Sequence, residues 1–160
     1  MHSNPYGMFV EGVDVLRSLE ETPRRIASLV RGWPRHVDER PLAPGKWTAR
    51  QILAHLAHLE MVFATRLRFT LASETYVVQP FDQDPWVAAE PATPALTSLE
   101  AYVSLRQMNV TLLRPLTPSQ RGRCASHPEM GEISIDWMMA WCAGHELNHV
   151  PQFERIAAVS

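Results

Sequence analysis

Near the C-terminal end, the stretch AWCAGHELNHVPQF contains His145-Glu146-Leu147-Asn148-His149, the string H-E-x-x-H. In zinc peptidases this spacing sets two imidazole ligands and a carboxylate general base on one helix. Such a peptidase needs a third protein ligand downstream of the string. The residues after His149 offer only Gln152 and Glu154, and Arg155 stands six positions on, where a third histidine would be expected. A peptidase is therefore the weaker reading; Glu146 has no base role on spacing alone, and could instead contact substrate or support the ligands.

The two histidines nonetheless share a face. At about 100° per residue, His145 and His149 lie about 40° apart, and Met138, Cys142, Gln152, Phe153 and Ile156 fall within about 80° of His145. Imidazoles in such an apolar stripe need a hydrogen-bond partner or a metal, because an unpaired buried polar group is costly. Two readings fit: metal ligands, or core histidines each bonded to a carbonyl or carboxylate. Five further histidines are available: His2, His36, His55, His58 and His127. His55 lies about 60° from the centre of the stripe made by Ile52, Leu56, Leu59 and Phe63, and His58 about 120° from it. His55 is thus expected to face inward and His58 to meet water. Three inward imidazoles on two packed helices can supply the protein ligands of an open metal site. Arg66 projects about 20° from His55 and could bind a substrate carboxylate, or pair with an Asp of FDQDPW. Gln152, on the ligand stripe, could hydrogen-bond a metal water or a ligand. Trp137 and Trp141 read as core or dimer contacts. Cys142 reads as a small buried hydrophobe, and Cys124 and His127 as loop residues.

Four helical segments must position these groups. Thr22-Pro23 reads as a cap and first position opening 24–33, with a helical piece at 9–19 before or joined to it. Thr48-x-x-Gln51 is a capping box opening 48–72, with Trp47 as a staple onto Ile52. Thr97-x-x-Glu100 is a second box, opening a helix that Pro115 ends, and Ser134 with Asp136 caps the last helix, 135–159. The best strand candidate, ETYVVQPF at 74–81, is short, so an all-α bundle is expected over 1–160 as one domain. The connection from 73 to 96 is long enough to run back along the bundle, so the second and third helices need not be antiparallel neighbours.

Composition narrows the function classes. The 160 residues are 46% hydrophobic and 20% charged, as in an ordinary globular chain, and the net charge of −2 gives no case for nucleic acid. No window approaches a membrane span, and the N-terminal MHSNPYGMFVEG lacks the basic-then-apolar pattern of a signal peptide. A cytoplasmic protein with two reduced cysteines is expected.

PGKWTARQILAHLAHLEMVFATRLR resembles the second-helix signature of the DinB/YfiT-like superfamily: a Trp and a Ser/Thr cap, then an apolar run with one His, an acidic residue and later an Arg. GEISIDWMMAWCAGHELNHVPQFERI resembles its last helix, with H-x-x-x-H followed by Gln three residues on. TPRRIASLV and the connection containing FDQDPW extend the likeness to nearly the whole chain. The resemblance implies a four-helix bundle of up-down-down-up type, with a divalent metal, zinc or nickel, held by His55, His145 and His149. It also implies a homodimer acting on a small-molecule substrate. Relatives use low-molecular-weight thiols such as bacillithiol or mycothiol as co-substrates, which implies a metal-dependent S-transferase or related enzyme. A non-catalytic metal-binding or stress-response module is the competing class. His58 departs from the family pattern, where Asp is frequent, and the family has no fixed Glu at position 146.

Overall fold

The computed structural model describes residues 3–41, 43–90 and 92–158. His2 and Val159, the expected last position of the closing helix, lie outside them. The helices are α1 (Val15–Arg31), α2 (Ala49–Ala72), α3 (Gln83–Ala89), α4 (Ala95–Leu113), α5 (Pro118–Arg121) and α6 (Ile135–Ala158). A small antiparallel hairpin, β1 (Cys124–His127) and β2 (Gly131–Ser134), joins α5 to α6.

The caps of α2 and α6 form as expected. The Gln51 N–H donates to Thr48 Oγ1 at 3.2 Å while the Thr48 N–H donates to Gln51 Oε1 at 2.9 Å. Trp47 packs against the core cluster that contains Ile52. Ser134 Oγ accepts from the Trp137 N–H at 3.1 Å, which leaves Asp136 exposed in the first turn.

Two other starts differ from expectation. Helix α1 begins seven residues before Thr22, behind Asp14, whose carboxylate accepts from the Arg17 N–H at 3.1 Å. Of the expected 9–19 piece, 15–19 is joined to the rest while 10–14 is not helical, and Pro23 lies inside the helix. A proline there deprives the carbonyl four residues back of its donor, an interior defect worth about 3 kcal/mol. The freed Leu19 carbonyl accepts from Arg106 Nη1 of α4 at 3.3 Å, so a tertiary contact replaces the lost helical one. Helix α4 starts at Ala95, with the Pro94 carbonyl accepting from Thr97 N–H (2.9 Å) and Ser98 N–H (3.2 Å). Thr97 therefore falls inside the first turn and no capping box forms: proline's preset backbone began the helix first.

Strand structure also departs. The 74–81 segment forms no strand, only a bridge from Val77 to Ser126, and the paired strands are the four-residue pieces around the Gly131 turn. Cys124 and His127, expected in a loop, are the ends of β1, and His127 is buried. Such short strands carry too few alternations to show a period of two.

The four long helices form a bundle with α1 beside α4 and α6, and α2 beside the same two. Helices α2 and α4 run parallel, since Glu60 meets Arg106 and Arg68 meets Asn109. This is the up-down-down-up arrangement, and α3 lies in the long connection that returns the chain to the starting end. Among the described residues no helix is long and apolar enough to cross a membrane.

Candidate metal centre

Helix α2 enters the bundle from the end where α6 finishes, so its second turn lies beside the middle of α6. This brings His55 to His145 and His149. His55 Nε2 lies 3.1 Å from His145 Nε2, and His149 Nε2 lies 3.2 Å from the same atom. All three rings are buried, with the three nitrogens within 4.8 Å of one another. Aromatic rings wall them in. The Trp141 indole stacks on His145 at 5.2 Å with 8° between planes, and Tyr6 meets the same ring edge-on at 5.2 Å. Trp47 and Phe81 stand at 5.1 and 6.5 Å from His55. Tyr6 arrives on an N-terminal segment that packs so closely that a Cβ on Gly144 would sit 2.6 Å from the Tyr6 carbonyl oxygen.

Burial sets the charge state. It pushes the His55 pKa down to about 3, with His149 and His58 adding to the effect. It carries His145 well below the usual imidazole range, and lowers His149 against the opposing effect of its hydrogen bond to Gln152. Neutral imidazoles keep a lone pair for a metal. His149 Nδ1 donates to Gln152 Oε1 at 3.0 Å, which aims its Nε2 lone pair at the other two rings. Around a tetrahedral metal with bonds of about 2.0–2.1 Å, ligand nitrogens stand roughly 3.3 Å apart. The observed 3.1 and 3.2 Å fit that spacing. Three converging lone pairs repel one another unless a shared cation sits among them. The donor set therefore suits a divalent metal, and Nδ1 of His55 and of His145 has no partner among the described residues.

The other candidates divide. Gln152 orients an imidazole, as described. Glu146 is fully buried and turned to α4, where the Tyr102 hydroxyl donates to Oε1 at 2.5 Å and Arg106 Nη1 donates to Oε2 at 2.7 Å. Arg66 Nη2 donates to the Gln79 carbonyl at 3.1 Å, and no Asp of FDQDPW pairs with it among the described residues. Its guanidinium borders a small cavity whose wall includes Trp141. Cys142 is held away from the imidazoles by Arg106 Nη2 at 3.1 Å, and its thiol faces Glu60 Oε1 at 3.6 Å.

His58 corrects the expectation that it meets water. It is 7% exposed, its Nε2 donates to Glu90 Oε2 at 2.9 Å, and its ring stands 5.4 Å from Trp86. The long connection folds over this flank of α2, so an outer-edge position became a covered one.

A set of buried charges escaped the sequence reading: Arg106 with Glu60, Glu146, Tyr102 and Asn109. Arg106 Nη2 and Nε donate to the two oxygens of Glu60 at 2.5 and 3.0 Å, and Asn109 Nδ2 adds a third donor at 3.0 Å. The signal was present in the sequence. Leu99, Tyr102, Arg106, Asn109 and Leu113 recur at helical spacing, with a cation in the middle of the apolar stripe.

A cleft of about 1100 Å³ opens beside the site, with His149, Gln152, Trp47 and Ile52 in its wall.

The profile of the DinB superfamily matches residues 18–153. A protein of Oceanobacillus iheyensis, named as a candidate metal-dependent hydrolase, is 30% identical over 139 residues, covering 84% of this chain and 81% of its own. YfiT of Bacillus subtilis, named likewise, is 28% identical over 146 residues, covering 88% and 82%. The solved structure of YfiT, described as a metal-dependent hydrolase candidate with an unusual four-helix bundle topology, superposes with a TM-score of 0.83 at 25% identity. That match covers 91% of this chain and 85% of the other.

Proposed function

The chain belongs to the DinB superfamily, and from that membership and the site geometry we propose that His55, His145 and His149 hold a divalent metal, zinc or nickel, for chemistry on a small molecule. The observation that carries this reading is the meeting of three buried, neutral imidazoles, with Nε2 separations of 3.1 and 3.2 Å, from helices that are remote in sequence. A metal in this position supplies Lewis acidity, lowering the pKa of a thiol or water bound to it. The chain's own residues do the rest. Gln152 fixes the tautomer and aim of His149, while Trp47, Phe81, Trp141 and Tyr6 exclude water from the imidazoles. With its carboxylate engaged by Tyr102 and Arg106, Glu146 supports α6 rather than the base role of a peptidase.

The nucleophile in this reading is a low-molecular-weight thiol, transferred to an electrophile admitted through the cleft. Glu146, the carboxylate of the H-E-x-x-H string, is held by Tyr102 and Arg106, which favours a nucleophile that ionises on the metal itself. Hydrolysis is the second reading, favoured by the names of the relatives. Elemental analysis of purified protein is expected to give about one zinc or nickel per chain, lost in His145→Ala; metal-free protein from metal-replete medium would overturn the proposal. Metal-loaded protein given glutathione, bacillithiol or mycothiol with a model electrophile should then show a thiol-dependent rate that His55→Ala abolishes. A rate unchanged in that variant would exclude this site, and turnover of esters or amides without thiol would favour hydrolysis.

A further inference from the structure

Several surface cations are matched locally: Arg17 by Glu21, Arg25 by Glu154, Arg50 by Glu39 and Arg114 by Glu20. The cleft beside the metal centre is different. Its wall carries Lys46 and Arg155, with Asp84 the one acid among the described lining residues. Neither Lys46 nor Arg155 meets a carboxylate among the described residues, and Glu154, next to Arg155 in sequence, turns away to Arg25. The floor between these cations and the imidazoles is apolar or aromatic, with Trp47, Ile52 and Ile156. Gln152 spends its carbonyl on His149, which leaves its amide N–H donors for a bound group. Cations at the rim, an apolar floor and a proposed metal at the inner end describe a receptor for an elongated, amphipathic anion.

We infer that the cleft binds a small-molecule oxyanion, a carboxylate or phosphate, between Lys46 and Arg155, with the far end of that molecule reaching the metal centre. This deepens the reading above, since it takes the cleft as the route to the three histidines. Rim charges of this kind steer and select charged ligands more than they tighten them.

The test uses cobalt-loaded protein, whose visible spectrum reports a thiol on the metal, with two probes of equal length: mercaptohexanoate and mercaptohexanol. The acid is expected to bind more tightly than the alcohol. In Lys46→Glu/Arg155→Glu the acid should weaken about tenfold, as two exposed ion pairs allow, with the alcohol unchanged. Arg24→Glu, an exposed charge reversal outside the cleft, should leave both probes unaffected. Equal binding of the two probes to the unmodified protein, or a preference that survives the double reversal, would overturn the inference. Should neither probe alter the spectrum, the thiol reading fails, and calorimetric titration with adipate and inorganic phosphate decides the present one. Binding of either anion that weakens in the double variant upholds it and names the oxyanion; no binding, or binding indifferent to the variant, sinks it.

Discussion

At the scale of single residues, Gln152 acts on the proposed metal through His149, by holding the Nδ1 proton that aims Nε2 inward. Partners of this kind typically change metal affinity about 10–100-fold. Gln152→Ala is therefore expected to weaken the metal by about tenfold or more in a chelator competition, with the helical circular dichroism unchanged. Charge makes a second prediction. The folded state holds His55 neutral, with its pKa at about 3, while in the unfolded chain it titrates near the ordinary imidazole value of about 6.5. Below about 6.5 the unfolded chain takes up a proton that the folded chain refuses, so acid favours unfolding. The stability of metal-free protein should be full above 6.5 and fall as the pH drops from there toward 3. Thermal melts across that range check it, and a flat profile would contradict the neutral-imidazole assignment. The His55 position was legible because helical rotation is local. Its neighbour His58 was misjudged because what covers it, Glu90 and Trp86, arrives from a distant connection.

At the scale of elements, Arg106 joins all four long helices: Leu19 on α1, Glu60 on α2 and Glu146 on α6 all receive its hydrogens. Glu60 lies five residues past His55 and Glu146 follows His145, so the guanidinium on α4 sets how the two histidine-bearing helices face each other. Removing one partner of a buried ion group leaves uncompensated charge, which costs about 3–5 kcal/mol. Arg106→Met should lose about that much in chemical denaturation, and adding Glu60→Gln and Glu146→Gln should recover part of it. No recovery would mean that packing, not charge, dominates there. The side-chain caps at Thr48 and Ser134 were legible, while the one at Asp14 was not. Helix starts were misread where proline intervened: Pro94 began α4 early, and Pro23 was absorbed into α1 because Arg106 satisfies the carbonyl it strands.

At the scale of the whole molecule, the proposed ligands come from the second turn of α2 and the middle of α6, so metal binding adds a tie between two helices remote in sequence. A ligand that binds only the folded state stabilises it by mass action, about 4 kcal/mol at a thousandfold excess over Kd. Chelator treatment should lower the Tm by several degrees and reloading should restore it, whereas His145→Ala should melt alike with and without metal. The parallel setting of α2 and α4 depends on the long connection and α3 within it. That connection also supplies Phe81 beside His55 and the Glu90 that buries His58. The same return path places Gln83 and Asp84 in the cleft wall.

The sequence by itself determined the four long helical segments, the apolar faces of the second and the last of them, and that His55, His145 and His149 lie on those faces, because these properties repeat within a turn or two of chain. Only the tertiary structure decided that Glu146 belongs to Arg106 and Tyr102, that His58 is covered, and that the four-residue strands pair. The first two depend on partners tens of residues away, with a desolvation that exists only once the helices have packed, and the strands, although only four to ten residues apart, are too short to show their period.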